Sequence, residues 1–175
     1  TTVIEFQPFN ERLGTCLNLG INFHWYEKEY FSFDIGNRES KFIDYKNDNQ
    51  FVSEMQSLTN LALRKALNYR KILTDLQTAE TTIINYEFAS NNLWGNYHRG
   101  IISGLNNDVK KSEEYFNRIL ENELEYDWQI ELKEKVSSLK SNLKNTKEFK
   151  EQVDEIIKNT RTKKKLKATA KKNVW

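Results

Sequence analysis

Asn18, Asn22, His24, Ser32 and Asp34 fall at even positions along two alternating runs between Gly14 and Gly36. A histidine beside an aspartate can pass a proton or hold a metal ion, because imidazole titrates near neutral pH and a carboxylate can orient it. With the asparagines and the serine, the five residues would make a small-ligand patch. The solvated face of an antiparallel sheet is polar in the same way. No third catalytic group is set by spacing, so the sheet-face reading outweighs the catalytic one.

Two further groups could bind rather than react. Trp94, Tyr97, His98 and Arg99 cluster within six residues. Tyr97 and Trp94 lie on an apolar helical stripe, which leaves His98 and Arg99 outward as candidate partner contacts. The last fifteen residues hold seven of the 27 basic side chains and none of the 25 acidic ones, so the remainder carries a net charge of −5. Arg161, Lys163, Lys164, Lys165 and Lys167 head this tail. They could meet phosphate or an acidic partner, although only Trp175 offers a ring for base stacking. With one large apolar residue, Leu166, between Arg161 and Lys172, the tail is expected to be mobile or a helix extension.

A chain of 175 residues with 38% hydrophobic and 30% charged residues has the composition of a globular domain with a charged surface. Cys16 is the single cysteine, which excludes an internal disulfide and a cysteine zinc site, and a reducing, cytoplasmic setting is expected. No apolar run approaches a membrane span. Phosphate-loop, nucleophile-elbow, zincin and calcium-loop patterns are absent from the sequence, and no cofactor is expected.

The elements that must position these residues follow from periodicity. Thr15, Leu17, Leu19, Ile21, Phe23 and Trp25 alternate with polar or small residues, and so do Phe31, Phe33 and Ile35. Odd must pair with odd, so Trp25 opposite Phe31 predicts a hairpin with a five-residue loop. That register sets His24 across from Ser32 and Asn22 across from Asp34. Leu17, Leu19, Ile21, Phe23, Phe31 and Phe33 would then be buried under helices. Val3 to Phe9 reads as an earlier strand with Ile4 and Phe6 on one face, and Pro8 ends it or marks an edge.

From Phe51 the period becomes helical, with Asp48 or Asn49 as the cap and a break near Thr74–Gln77. A further helix follows through Ile83 and Phe88. Helices are then expected over Asn91–Leu105, from Asp108 through Leu120, from Asp127 through Leu143, and through Phe149, Val153, Ile156 and Ile157.

Gly100, Ser112, Phe116 and Ile119 have the spacing of a tetratricopeptide hairpin, and the pair of helices around them resembles one. Asn96, Arg99 and Ser103 stand where that family has large apolar residues, so the resemblance implies a helix hairpin without the family's peptide groove. The early strand Val3–Gln7, the strand Leu17-Asn18-Leu19-Gly20-Ile21 and the helices after them resemble a bacterial domain-of-unknown-function family, number 4304. That resemblance implies α+β architecture and no assigned activity.

The expected fold is α+β: an antiparallel sheet of three or more strands followed by a helical bundle or helix-hairpin array, with the sheet and its covering helices over residues 1–90, a helical-hairpin region over 91–160 expected to share one core with it, and a basic tail over 161–175. The expected function is a non-catalytic, intracellular protein-interaction module of immunity or regulatory type, with another protein as partner. Nucleic-acid association through the tail, and a ligand or enzyme site on the polar hairpin face, are the alternatives.

Overall fold

In the computed structural model, residues 1–9, 11–88, 93–123 and 126–167 are described. The expected helix start at Asn91 and the tail residues Lys171, Lys172 and Trp175 lie outside them. The fold is α+β, with an antiparallel sheet followed by helices. The chain divides into two compact units. One comprises residues 1–23 and 30–74, the other residues 24–29 and 75–175. The boundary thus falls after Thr74 rather than at residue 90.

In the first unit the sheet runs β1 (Thr2–Phe9), β2 (Arg12–Ile21), β3 (Ile35–Arg38) and β4 (Ile43–Asp44), all antiparallel. Strand β2 is central, with β1 on one side and β3 and β4 on the other. Its alternation does what a period of two requires: Leu17 and Leu19 turn to one face and pack on Leu58 and Ala62 of α1 (Asp48–Ile72). Met55, Leu61, Ile43 and Tyr69 surround this cluster.

The predicted register is met, since Ile21 lies opposite Ile35. The predicted hairpin is not, because pairing stops there and residues 22–34 form a long connection. Phe23 is buried, but Phe31 and Phe33 are 45% and 39% exposed. Short-range alternation cannot show where a ladder ends, and these two rings fall beyond its end.

Helix α1 is capped by Asn47, whose side chain accepts from the Gln50 amide, one residue before the expected cap. The helix ends at Ile72. Asp75 then caps α2 (Leu76–Asn85) by accepting from the Thr78 amide and hydroxyl.

The second unit contains α2, α3 (Leu93–Leu105), α4 (Val109–Leu120), α5 (Asp127–Asn142) and α6 (Thr146–Lys163). Asp108 caps α4, as its position before the stripe predicts. For α5 the cap is Tyr126 rather than Asp127, its amide donating to Gln129 Oε1. Helix α3 ends with Asn107 at φ 65°, and the amides of Asn107 and Asp108 donate back to Gly104 and Ser103. This left-handed close satisfies carbonyls that the helix end would otherwise orphan.

Helix α3 is buried on nearly every side. Its glycines make this close packing feasible: a Cβ on Gly95, Gly100 or Gly104 would meet the rings of Phe88, Phe116 or Phe149 at 2.7, 2.4 and 2.6 Å. Glycines inside a helix cost about 1 kcal/mol each relative to alanine, a cost offset here by the rings laid against the backbone. Ser112 Oγ donates to the Gly100 carbonyl at 2.7 Å, at the crossing of α3 and α4. A Ser112→Leu substitution there should overpack the crossing and cost ~1–3 kcal/mol, read as a lower midpoint in urea unfolding. An unchanged midpoint would mean that the helices are not held close.

Glu80 of α2 is almost fully buried and accepts from Ser103 Oγ at 3.0 Å, Asn106 Nδ2 at 2.8 Å and Lys111 Nζ at 3.4 Å. Full hydrogen bonding is what makes a buried carboxylate tolerable, and here it ties α2 to α3 and α4.

Candidate functional site

The polar residues of the opening runs separate into two networks. Asp34 Oδ2 accepts from the Phe23 amide at 2.7 Å and from Asn22 Nδ2 at 3.0 Å, while Oδ1 accepts from Ser32 Oγ at 2.7 Å. Asn22 Nδ2 also donates to Ser32 Oγ. Asn22 is fully buried. A carboxylate receiving donors on both oxygens, one of them a backbone amide, works as a clamp on the 22–34 connection.

Asn18 belongs to the second network. Its Nδ2 donates to Glu5 Oε2 at 2.8 Å and to Gln7 Oε1 at 2.9 Å, and Arg38 reaches both Gln7 and Asn18. His24 is buried and belongs to the second unit, whereas Asn18, Asn22, Ser32 and Asp34 belong to the first. Among the described residues no three histidine, cysteine, aspartate or glutamate side chains converge on a metal site.

His98 is only 2% exposed, a correction to its outward placement. Its Nδ1 accepts from Trp25 Nε1 at 2.9 Å, and the neighbouring Tyr97 hydroxyl donates to the Trp25 carbonyl at 2.7 Å. Residues 24–29 are therefore held against α3 by side chains more than seventy positions away. Arg99 is half-buried rather than outward. Its guanidinium donates to the Ile84 and Tyr86 carbonyls at the end of α2, where a helix leaves acceptors for a cation, and it lies over the Phe88 ring.

Around this anchor lies an aromatic group. Tyr26 meets Trp94 edge-on at 4.2 Å, Trp94 stacks on Trp128 at 5.7 Å, and Lys28 and Lys135 lie over the Trp94 and Tyr26 rings respectively. Burial pushes the Lys135 ammonium pKa down.

The basic tail starts as structure. Residues 161–163 are the last turn of α6. Lys165 takes φ 53°, and the amides of Lys165 and Leu166 donate back to Thr162 and Arg161, closing the helix as at Asn107. Arg161 donates to the Lys167 carbonyl, and Lys164 is buried. Lys163 Nζ pairs with Glu27 at 2.7 Å.

The hydrogen bond from Lys163 holds the Glu27 carboxyl below its ordinary value, and the same bond raises Lys163. The glutamate's contribution to stability is thus complete above about pH 4.5 and fades as pH falls through its lowered value. The lysine's contribution is complete below about pH 10.5 and is lost as pH rises through its raised value. Urea unfolding from neutral to acid pH should show a shallower acid limb in Glu27→Gln than in the parent. Identical limbs would remove the pair from the stability balance.

The outer side of β1, whose sequence carries an edge signal at Pro8 and an apolar face at Ile4 and Phe6, is unpaired among the described residues. Thr1 and Asn22 exchange both backbone hydrogen bonds, at 2.9 and 2.8 Å. Antiparallel ladders alternate, so Val3, Glu5 and Gln7 bond inward to β2, while the N–H and C=O groups of Thr2, Ile4 and Phe6 point to the open side. Pro8 falls in the outward phase, at the register shift between Gln7 and Phe9, where its missing N–H costs the ladder nothing. The side chains beside this edge are exposed: Ile4 45%, Phe6 37% and Phe9 42%. Alternation had marked Ile4 and Phe6 as one face, and being opposite Leu19 and Leu17 they do share the apolar face. They remain open because β1 is the last strand of the sheet.

Among the described residues no helix is long and apolar enough to cross a membrane. Comparison with family models, with curated proteins and with solved structures finds no match for this chain.

Proposed function

We propose that this chain is a protein-interaction module that docks its partner along the open edge of β1. The observation that carries the reading is the outward row of backbone donors and acceptors at Thr2, Ile4 and Phe6, flanked by the exposed Ile4 and Phe6 side chains. An edge of this kind is a template for another strand, and the register shift at Pro8 blunts it only beyond Gln7, which leaves Thr2 to Phe6 to pair. Main-chain hydrogen bonds supply affinity in this mode, and alternate side chains supply selectivity. The Asp34 clamp, the Trp25 anchor and the Glu80 network serve the scaffold in this reading.

The test uses two edge variants, Ile4→Asp and Phe6→Asp, each checked for a parent-like melting temperature. A protein captured by the parent should be lost by both variants, and it should slow hydrogen exchange at the Thr2, Ile4 and Phe6 amides. A partner retained in full by both variants would place the docking surface elsewhere.

A further inference from the structure

We infer that the segment accepted by β1 is an extended peptide carrying a basic residue between two apolar ones, an inference that rests on the edge-docking reading above. A strand added outside β1, in either direction, obeys the same pleat as β1. Its residues beside Ile4 and Phe6 share the apolar face of the sheet, where those side chains are already half out in solvent. The residue between them turns to the other face and comes opposite Glu5.

Glu5 is exposed, and its Oε2 accepts from Asn18 Nδ2. A carboxylate has about four acceptor sites, so a second donor fits beside the asparagine. Arg38 is the cation of the same network, and its guanidinium comes from the β3 side to Asn18 Oδ1 and Gln7 Oε1 without pairing with Glu5. An added strand lies one spacing away, about 5 Å, so Glu5 sets the local sign. Opposite charges across a ladder stabilise and like charges destabilise. Two copies paired about Glu5 would set two carboxylates opposite each other, which argues against self-pairing in that register.

The experiment is an amide-resolved NMR titration of the full chain, up to about 1 mM peptide, a range that detects even weak docking. The probes are two capped eight-residue peptides of alternating threonine and valine, one with lysine and the other with glutamate between the two central valines. A third, with proline for one central valine, removes a ladder donor. The lysine peptide should shift the Thr2, Ile4 and Phe6 amides and bind about three- to tenfold more tightly than its glutamate twin. The preference should vanish in Glu5→Gln and invert in Glu5→Lys, and the proline peptide should bind more weakly than the lysine peptide.

Equal binding of the lysine and glutamate peptides at that edge would overturn the charge rule while leaving edge docking in place. Failure of every peptide to perturb the edge would overturn the inferred ligand, and the capture experiment with Ile4→Asp then judges the docking reading on its own. Edge shifts that follow protein concentration without peptide, and disappear in Ile4→Asp, would make a second copy the occupant and overturn the inference.

Discussion

Phe116→Ala is expected to destabilise the second unit by ~3–5 kcal/mol, the range for removing a fully buried aromatic ring. Phe116 is 0% exposed, and its ring lies where a Cβ of Gly100 would be, 2.4 Å from the nearest ring carbon. The substitution removes both the transferred area and the contacts that the ring makes with the α3 backbone. The sign of a second change tests the geometry more sharply. Gly100→Ala by itself adds a methyl group into the ring. The overpacking cost of ~1–3 kcal/mol should exceed the ~1 kcal/mol gained from helix propensity. With Phe116→Ala already present, the obstacle is gone and the same alanine should stabilise. A double-mutant cycle in urea reads this inversion directly. If Gly100→Ala destabilises equally in both backgrounds, the ring and the glycine do not meet.

Trp25→Ala is expected to have a similar cost, ~3–5 kcal/mol, for a different reason. Trp25 is 7% exposed and, together with Tyr26, Glu27 and Lys28, holds 24–29 in the second unit. Its ring donates to His98, and its carbonyl accepts from Tyr97. Only the ring is lost on truncation, so the loss divides into apolar area and the bond to His98. Trp25→Phe separates these contributions, because it keeps much of the area and removes the donor. Leaving the buried imidazole nitrogen without that donor should cost ~1–3 kcal/mol. Denaturant midpoints of parent, Trp25→Phe and Trp25→Ala should therefore descend in that order. A Trp25→Phe midpoint equal to the parent would reduce the hydrogen bond to a bystander of the packing.

Both variants probe the scaffold, whereas the proposed docking edge needs few residues to be visible. Ile4, Glu5 and Phe6 are exposed at the surface, so changes there should act on binding with little effect on the melting temperature. This separation is what makes the edge variants informative.

Local order was legible in the sequence wherever the deciding interactions are local. The α+β class, the alternation of β2 and the odd-with-odd register follow from the pleat, and Ile21 does lie opposite Ile35. Asp108 caps α4 because a short acceptor just before a helix finds free amides within three residues, and the expected break near Thr74–Gln77 is present, with Asp75 rather than Thr74 as the cap. The spacing of Gly100, Ser112 and Phe116 marked a close helix crossing, and all three residues meet there. Even the clamp partners Asn22 and Asp34 follow from the register, although their role as a clamp does not.

Only the tertiary structure decided where the ladder ends, and so that Phe31 and Phe33 stay exposed while Trp25 is buried among residues more than seventy positions away. His98 read as outward because a polar residue off an apolar stripe usually faces water. Helix α3 has almost no such side, since its glycines admit the rings of Phe88, Phe116 and Phe149 against its backbone. The open edge of β1 is a matter of topology as well: alternation marks a strand, but only the order β1-β2-β3 shows which strands, β1 among them, have no outer neighbour among the described residues. Pleat and helix period act over a few residues and are written in the spacing of side chains, whereas ends, edges and burial depend on which distant segments arrive, and no local period encodes that.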